Sequence, residues 1–222
     1  MQILNQYDHF AYTNLLDSND MIDAADSRID DLLTLGDIIC KHDLEEVAGV
    51  TLVHRHHDLS PTERIVWRLR ADKTWLATPE VRTDNELSAK NWIVSVGPEG
   101  PKLLPTEFIP NEADYQPEIA ASEIILSQHD FLHEFSQFAV DNGIENILGL
   151  GILHQRSEFK LPDTTVFETS NINKRTTQAE VIPFTDSDTD LGGVTLWHFT
   201  KLDGLHGKHR CAHGNSGHCC GN

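Results

Sequence analysis

Between residues 18 and 42 the apolar residues Met21, Ile22, Ala25, Ile29, Leu32, Leu33, Leu35, Ile38 and Ile39 recur mostly three or four positions apart, with Asp and Arg between them. An α-helix turns once in 3.6 residues, so this spacing gathers the apolar side chains into one stripe. The segment predicts an amphipathic helix, or two broken near Gly36, with the acids toward water. A second helix is predicted over residues 128–141, where Phe131, Phe135 and Phe138 form the stripe. Ser127 reads as its N-cap, Asp130 as a carboxylate on its first turn, and Gly143 as its stop.

A different pattern governs residues 49–54, 65–69 and 92–96, which are short runs rich in β-branched, aromatic and aliphatic residues. They read as strands, with Ser60-Pro61 as turn chemistry between the first two. Residues 147–154, 165–168, 180–184 and 194–199 are further strand candidates, for six or seven strands and two or three helices. Five of the nine prolines fall within residues 98–117, a stretch expected to be mostly loop because proline cannot donate to a ladder. Residues 170–179 and 185–190 read as polar surface loops, and no internal repeat at a fixed period is evident. Helices and strands follow in mixed order. The expected fold is therefore α+β: a single domain over residues 1–200 with a mixed, largely antiparallel sheet, then a flexible His/Cys-rich C-terminal tail over residues 201–222.

Charge narrows the set of partners. Seventeen Lys and Arg stand against 35 Asp and Glu, a net charge of −18, which opposes nucleic acid and anionic membrane. Residues 1–46 hold eleven acids and two bases, whereas residues 198–222 hold three bases and only Asp203 as an acid. The acidic N-terminal helix is thus the expected surface for a protein partner, and the cationic tail could dock on it. The first ten residues lack a cationic start followed by an apolar run, and no apolar stretch reaches the eighteen or so residues that cross a bilayer. With Cys40 alone and the other three cysteines crowded at the end, the expectation is a soluble, cytoplasmic protein.

The segment Leu52-Val-His54-Arg-His56-His57-Asp58-Leu, followed by a helix and Phe135-Ser-Gln-Phe-Ala-Val-Asp-Asn-Gly143-Ile-Glu-Asn-Ile-Leu-Gly149-Leu, resembles a loose group of uncharacterised fungal proteins. Those carry a Leu-His-(Arg/Lys)-His-Phe segment, and His57 stands here in place of the aromatic. The resemblance spans about residues 30–200 and implies no reaction.

Three groups of residues could carry chemistry. His206, His209, Cys211, His213, His218, Cys219 and Cys220 crowd fifteen positions spaced mainly by Gly, Ser, Asn and Ala. Imidazole and thiolate bind zinc and copper readily, and adjacent thiolates suit zinc or cuprous copper, so the tail is the expected transition-metal site. His54 and His56, two apart on a strand, share a face and could line a pocket, with His57 on the other side and Asp58 orienting one ring. The alternative is a strand end whose histidines are half exposed and hydrogen-bonded. His129 and His133 share a helix face, but Asp130 replaces the glutamate that a zinc-protease helix requires. Cys40 reads as a small residue on the apolar helix face. The leading reading is an accessory protein whose tail binds zinc or copper, and the alternative is a small-molecule enzyme whose weak catalytic candidates are His54 and His56.

Overall fold

The computed structural model describes residues 2–3, 6–16, 21, 24–25, 27–153, 155–156, 164–183, 195–201, 204–205 and 211–213. Its core grows from the two apolar stripes. After a short helix α1 (His9–Thr13) come α2 (Ile29–Lys41), α3 (Gln116–Ser127) and α4 (His129–Asp141). Helix α2 buries Leu32, Leu35, Ile38 and Ile39, and α4 buries Phe131, Leu132, Phe135 and Ala139. Each such large apolar side chain removed from water contributes roughly 1.5–3 kcal/mol, enough to dock both helices on one sheet. Asp30 and Asp37 on α2 stay exposed, as the stripe requires.

Two helix signals mean something other than the sequence suggests. Helix α2 runs unbroken through Gly36, because the Phe199 ring lies over that residue: a Cβ there would sit 2.0 Å from Phe199 Cδ1. The glycine admits an aromatic ring and makes no turn. Nor does Ser127 cap α4. It is the last residue of α3, its hydroxyl donates to the Ile124 carbonyl at 2.7 Å, and Gln128 occupies the N-cap. Gly143 does end α4, at φ +65°.

The fold is α+β with a mixed, largely antiparallel, curled sheet. Its strands are β1 (Gln2–Ile3), β2 (Ala48–Leu52), β3 (Glu63–Leu69), β4 (Trp75–Val81), β5 (Leu87–Gly97), β6 (Gly100–Pro110), β7 (Leu148–Ile152), β8 (Thr164–Asn171), β9 (Thr176–Pro183), β10 (Leu196–Trp197) and β13 (Cys211–His213), while β11 (Phe199–Thr200) and β12 (Gly204–Leu205) form a separate ladder. The order is β10-β2-β7-β5-β6-β3-β4-β9-β8-β13, with β1 beside β6. This is more strand than the six or seven expected. The proline-rich stretch is the largest departure, since β6 lies mid-sheet and is buried from Leu103 to Pro110. It tolerates prolines because the ladders on one of its sides are short: β1 pairs it at Lys102 and Leu103, β3 at Glu107 and Phe108, and Pro105 falls between them. Residues 176–179, expected in a loop, open β9, because the β8–β9 turn is confined to residues 172–175.

An internal repeat emerges that the sequence hides. A shift of 100 residues carries α2 onto α4 and β2 onto β7. The links agree in detail. Asp43 and Gly143 both have positive φ, Ala48 donates to the Leu44 carbonyl as Leu148 does to that of Ile144, and Val53 N–H reaches the Ile147 carbonyl as Leu153 N–H reaches that of Val47. Strands β2 and β7 pair antiparallel about Val50↔Leu150, so a pseudo-twofold axis passes between those residues. Around it Trp92 of β5 pairs with Leu150 and Trp197 of β10 with Val50. Few identities survive beyond Glu45/Glu145, Gly49/Gly149 and His54/His154, since helix and strand burial ask only for apolar residues of suitable size.

The tail is tied to the body at several points. Lys201 pairs with Asp43 and with Glu45, so the cationic end does touch the acidic first segment, at the C-terminal end of α2.

Candidate metal centre

Strand β2 leaves the sheet at Leu52, yet the chain stays tethered: Val53 N–H donates to the Ile147 carbonyl and Arg55 N–H to the Leu16 carbonyl. Beyond the strand a single bridge at Arg55 and a bend at His56 and His57 still bring His54 and His56 together. Their rings meet edge to face, with centroids 4.5 Å apart. His54 Nδ1 lies 2.8 Å from the Leu52 carbonyl, which can only accept, so this nitrogen carries the proton and Nε2 keeps its lone pair.

His56 is ordered by a residue that sequence reasoning missed. Its Nε2 lies 2.8 Å from Glu107 Oε1, with both side chains almost wholly buried. The other carboxylate oxygen accepts from Trp67 Nε1 at 2.8 Å and Asn91 Nδ2 at 2.7 Å, and Lys90 Nζ stands 3.8 Å away while lying over the Trp67 ring. Burial by itself would push the Glu107 carboxyl up, but the His56 ring and then Lys90 outweigh it and hold the group well below the usual carboxylate range. Burial likewise opposes charge on His56, and the Glu107 carboxylate reverses this and raises the imidazole. A glutamate set among apolar residues, in Leu103-Leu-Pro-Thr-Glu107-Phe-Ile-Pro110, was a signal in the sequence; the expectation of a proline-rich loop concealed it.

Glu168 completes the cluster from the far side. It lies on β8, separated from β2 by six intervening strands, and the curl of the sheet returns it to the histidines. One ligand atom each from His54, His56 and Glu168 lie within 4.8 Å of one another. Thr51, Lys90, Asn91, Glu107 and Thr195 line the same cavity, whose volume is about 10 Å³, near that of one water-sized sphere. Across the pseudo-twofold axis, Arg156 stands where His56 does and pairs with Glu118 at 2.9 Å. His154 lies outside the described residues. The His54/His56 pair is therefore not duplicated.

His54 is buried and the side chain of His56 is almost wholly covered, rather than half exposed. His57 also does not point away: its ring centroid is 6.3 Å from that of His56, and its Nε2 lies 3.2 Å from Thr177 Oγ1. Burial, the neighbouring His56 and Arg175 lower its imidazole to about 4, so it is neutral near pH 7. Asp58 orients no ring. Its side chain is exposed, and Leu52 and Glu107 do the orienting instead.

Arg175, at φ +50° in the β8–β9 turn, straps this segment down. Its Nη1 and Nη2 donate to Glu63 at 2.9 and 2.8 Å, and Nη2 also donates to the Asp58 carbonyl. The Arg175 contact and the Ser60 N–H lower the Glu63 carboxyl to about 2. A depressed carboxyl contributes stability above its unfolded value near 4.5, and that stability is lost as pH falls toward 2. Because Arg175 is half exposed, about 1 kcal/mol is expected from the pair. Urea unfolding at pH 5 and pH 2.5 should show Glu63→Gln losing about 1 kcal/mol less than wild type across this interval; an unchanged loss would mean that the strap carries no such energy.

His129 and His133, set aside in the sequence because Asp130 replaces the required glutamate, are both exposed on α4 and converge on nothing among the described residues. Cys211 and His213 belong to β13. His206, His209, His218, Cys219 and Cys220 lie outside the described residues. Cys40 packs partly buried against the core, as expected, and burial raises its thiol. No helix among the described residues is long and apolar enough to cross a membrane. No protein-family model, curated protein or solved structure matches this chain, so the site is read from its own geometry.

Proposed function

We propose that this protein binds one transition-metal ion in the body of the fold, held by His54, His56 and Glu168, with Glu107 orienting His56. The observation that carries this reading is the convergence of two imidazoles and a carboxylate on a cavity the size of a single ion. Bonds to zinc of about 2.0–2.2 Å would draw the ligand atoms together from their present spacing by small side-chain rotations. Metal-bound histidines characteristically give their other ring nitrogen to a carbonyl or carboxylate, and the Leu52 carbonyl and Glu107 stand in those places. Zinc suits this nitrogen and oxygen set. Cuprous copper prefers thiolate and would need the cysteines of the tail.

The cavity argues against the alternative of an enzyme holding a substrate between His54 and His56, since small-molecule pockets occupy roughly 300–1,000 Å³. A cleft of about 430 Å³ does exist, lined by Trp92, Phe108, Leu126, Asp84, Ser122 and Glu123, but neither histidine borders it. Protein purified without an affinity tag should carry about one equivalent of metal by elemental mass spectrometry, and His54→Gln/His56→Gln should carry almost none. Glutamine retains hydrogen bonding and approximate volume while losing strong ligation. Equal metal content in the two proteins would refute the assignment.

A further inference from the structure

The cavity between the three ligands limits what else an ion there could hold. Its volume of about 10 Å³ admits one sphere the size of a water molecule, so an ion and a water side by side do not fit. Catalytic zinc sites keep the fourth tetrahedral position for a water or substrate, whereas structural sites fill it with a protein ligand. In so small a space the fourth ligand has to come from the wall. Asn91 stands in that wall with an acceptor to give. Its Nδ2 donates to Glu107 Oε2 at 2.7 Å, and because a carboxylate accepts, this bond decides which end of the amide is oxygen. The other end, Oδ1, is buried and accepts no hydrogen bond among the described residues. A buried carbonyl oxygen without a donor is uncommon, and an ion or a water is the usual partner. Gly151 lies opposite Asn91 on β7, and a Cβ there would sit 2.8 Å from Asn91 Oδ1, 3.4 Å from Leu196 Cδ1 and 3.5 Å from Thr51 Cβ. Leu196 and Thr51 both border the cavity, so the amide oxygen opens onto the same space. Its neighbours are committed elsewhere: Thr51 donates to the Thr195 carbonyl at 3.1 Å, and Lys90 is the counter-charge to Glu107.

We propose that the centre is a closed, structural site in which Asn91 Oδ1 is the fourth ligand to an ion held by His54, His56 and Glu168. The proposal rests on the metal-centre reading above. Glu107 then serves two ligands at once, holding the His56 ring through one oxygen and the Asn91 amide through the other. A second oxygen ligand also moves the set further from what cuprous copper prefers.

Cobalt(II) in place of zinc gives the full chain a visible spectrum that reports coordination, and azide probes for an open position. The wild-type spectrum should not respond to excess azide. Asn91→Ala should bind zinc at least about tenfold more weakly, by competition with a chromogenic chelator, and its cobalt spectrum should shift on adding azide. Asn91→Asp separates a ligand from a residue that only positions Glu107, since it keeps an oxygen for the ion but cannot donate to the carboxylate. It should recover wild-type zinc affinity and indifference to azide. An azide-sensitive wild type, wild-type zinc affinity in Asn91→Ala, or Asn91→Asp as weak as Asn91→Ala overturns the closed site. Hydrogen exchange across β2 and β7 reports folding, and should Asn91→Ala fail to fold, the wild-type azide titration and Asn91→Asp decide. If His54→Gln/His56→Gln has lost zinc while Asn91→Ala has not, the metal centre stands without Asn91; wild-type zinc affinity in His54→Gln/His56→Gln overturns both.

Discussion

Replacing Glu107 by alanine should destabilise the protein by about 3–5 kcal/mol, the range for removing one partner from a buried charge pair. The carboxylate is the common acceptor for His56, Trp67 and Asn91 and the counter-charge to Lys90. Deleting it leaves Lys90 without its counter-charge and the N–H groups of His56, Trp67 and Asn91 without their acceptor in a site that water barely reaches, so the cost comes from what is left unpaired more than from the bonds themselves. Glu107→Gln keeps an acceptor for Trp67 and removes only the charge, and should cost less than the alanine variant. A double-mutant cycle with His56→Gln would isolate the pair, for which about 1–3 kcal/mol of coupling is expected. Urea unfolding measures all three, and a loss below about 1 kcal/mol for Glu107→Ala would show that the network is not the hub described above.

The second large effect is expected at two glycines related by the pseudo-twofold axis. A Cβ on Gly149 would lie 2.4 Å from the Trp92 carbonyl oxygen, and one on Gly49 would lie 2.6 Å from that of Trp197. In both places the obstacle is backbone of the adjacent strand, which cannot rotate aside as a side chain can. Gly149→Ala and Gly49→Ala must part β7 from β5 and β2 from β10, at a cost of about 3 kcal/mol each. Gly143 provides the contrast: it has φ +65° but nothing within 4 Å of an added Cβ, so Gly143→Ala should cost about 1 kcal/mol of backbone strain. Thermal and urea unfolding of the three variants gives the comparison. Equal costs at positions 143 and 149 would mean that close strand approach is not the constraint at Gly149.

The same pair of glycines shows how the repeat escaped notice in the sequence. What the halves share is a space requirement at 49 and 149, a left-handed turn at 43 and 143, and apolar size elsewhere. Several residue types meet each of the last two demands, so sequence identity faded while geometry persisted.

What the chain determined by itself is local. The stripes of α2 and α4, the partial burial of Cys40, the strand cores in β2, β3, β5 and β7, and the convergence of His54 and His56 follow from periodicities of 3.6 and 2 between residues near in sequence, and the stop at Gly143 from the left-handed conformation that glycine adopts freely. The role of Gly36 depended on Phe199, the strand that holds three of the five prolines depended on gaps between neighbouring ladders, and the end of α3 at Ser127 depended on a helix with only a weak stripe. The site was legible in part. Two imidazoles two residues apart are visible in any reading, but Glu107 and Glu168 are 51 and 112 residues beyond His56 and reach it only because β6 crosses the middle of a sheet whose curl brings β8 round to β2. Sheet pairing and twist are set by long-range packing, which no local periodicity encodes, and that is why tertiary structure alone decided which carboxylates the histidines would meet.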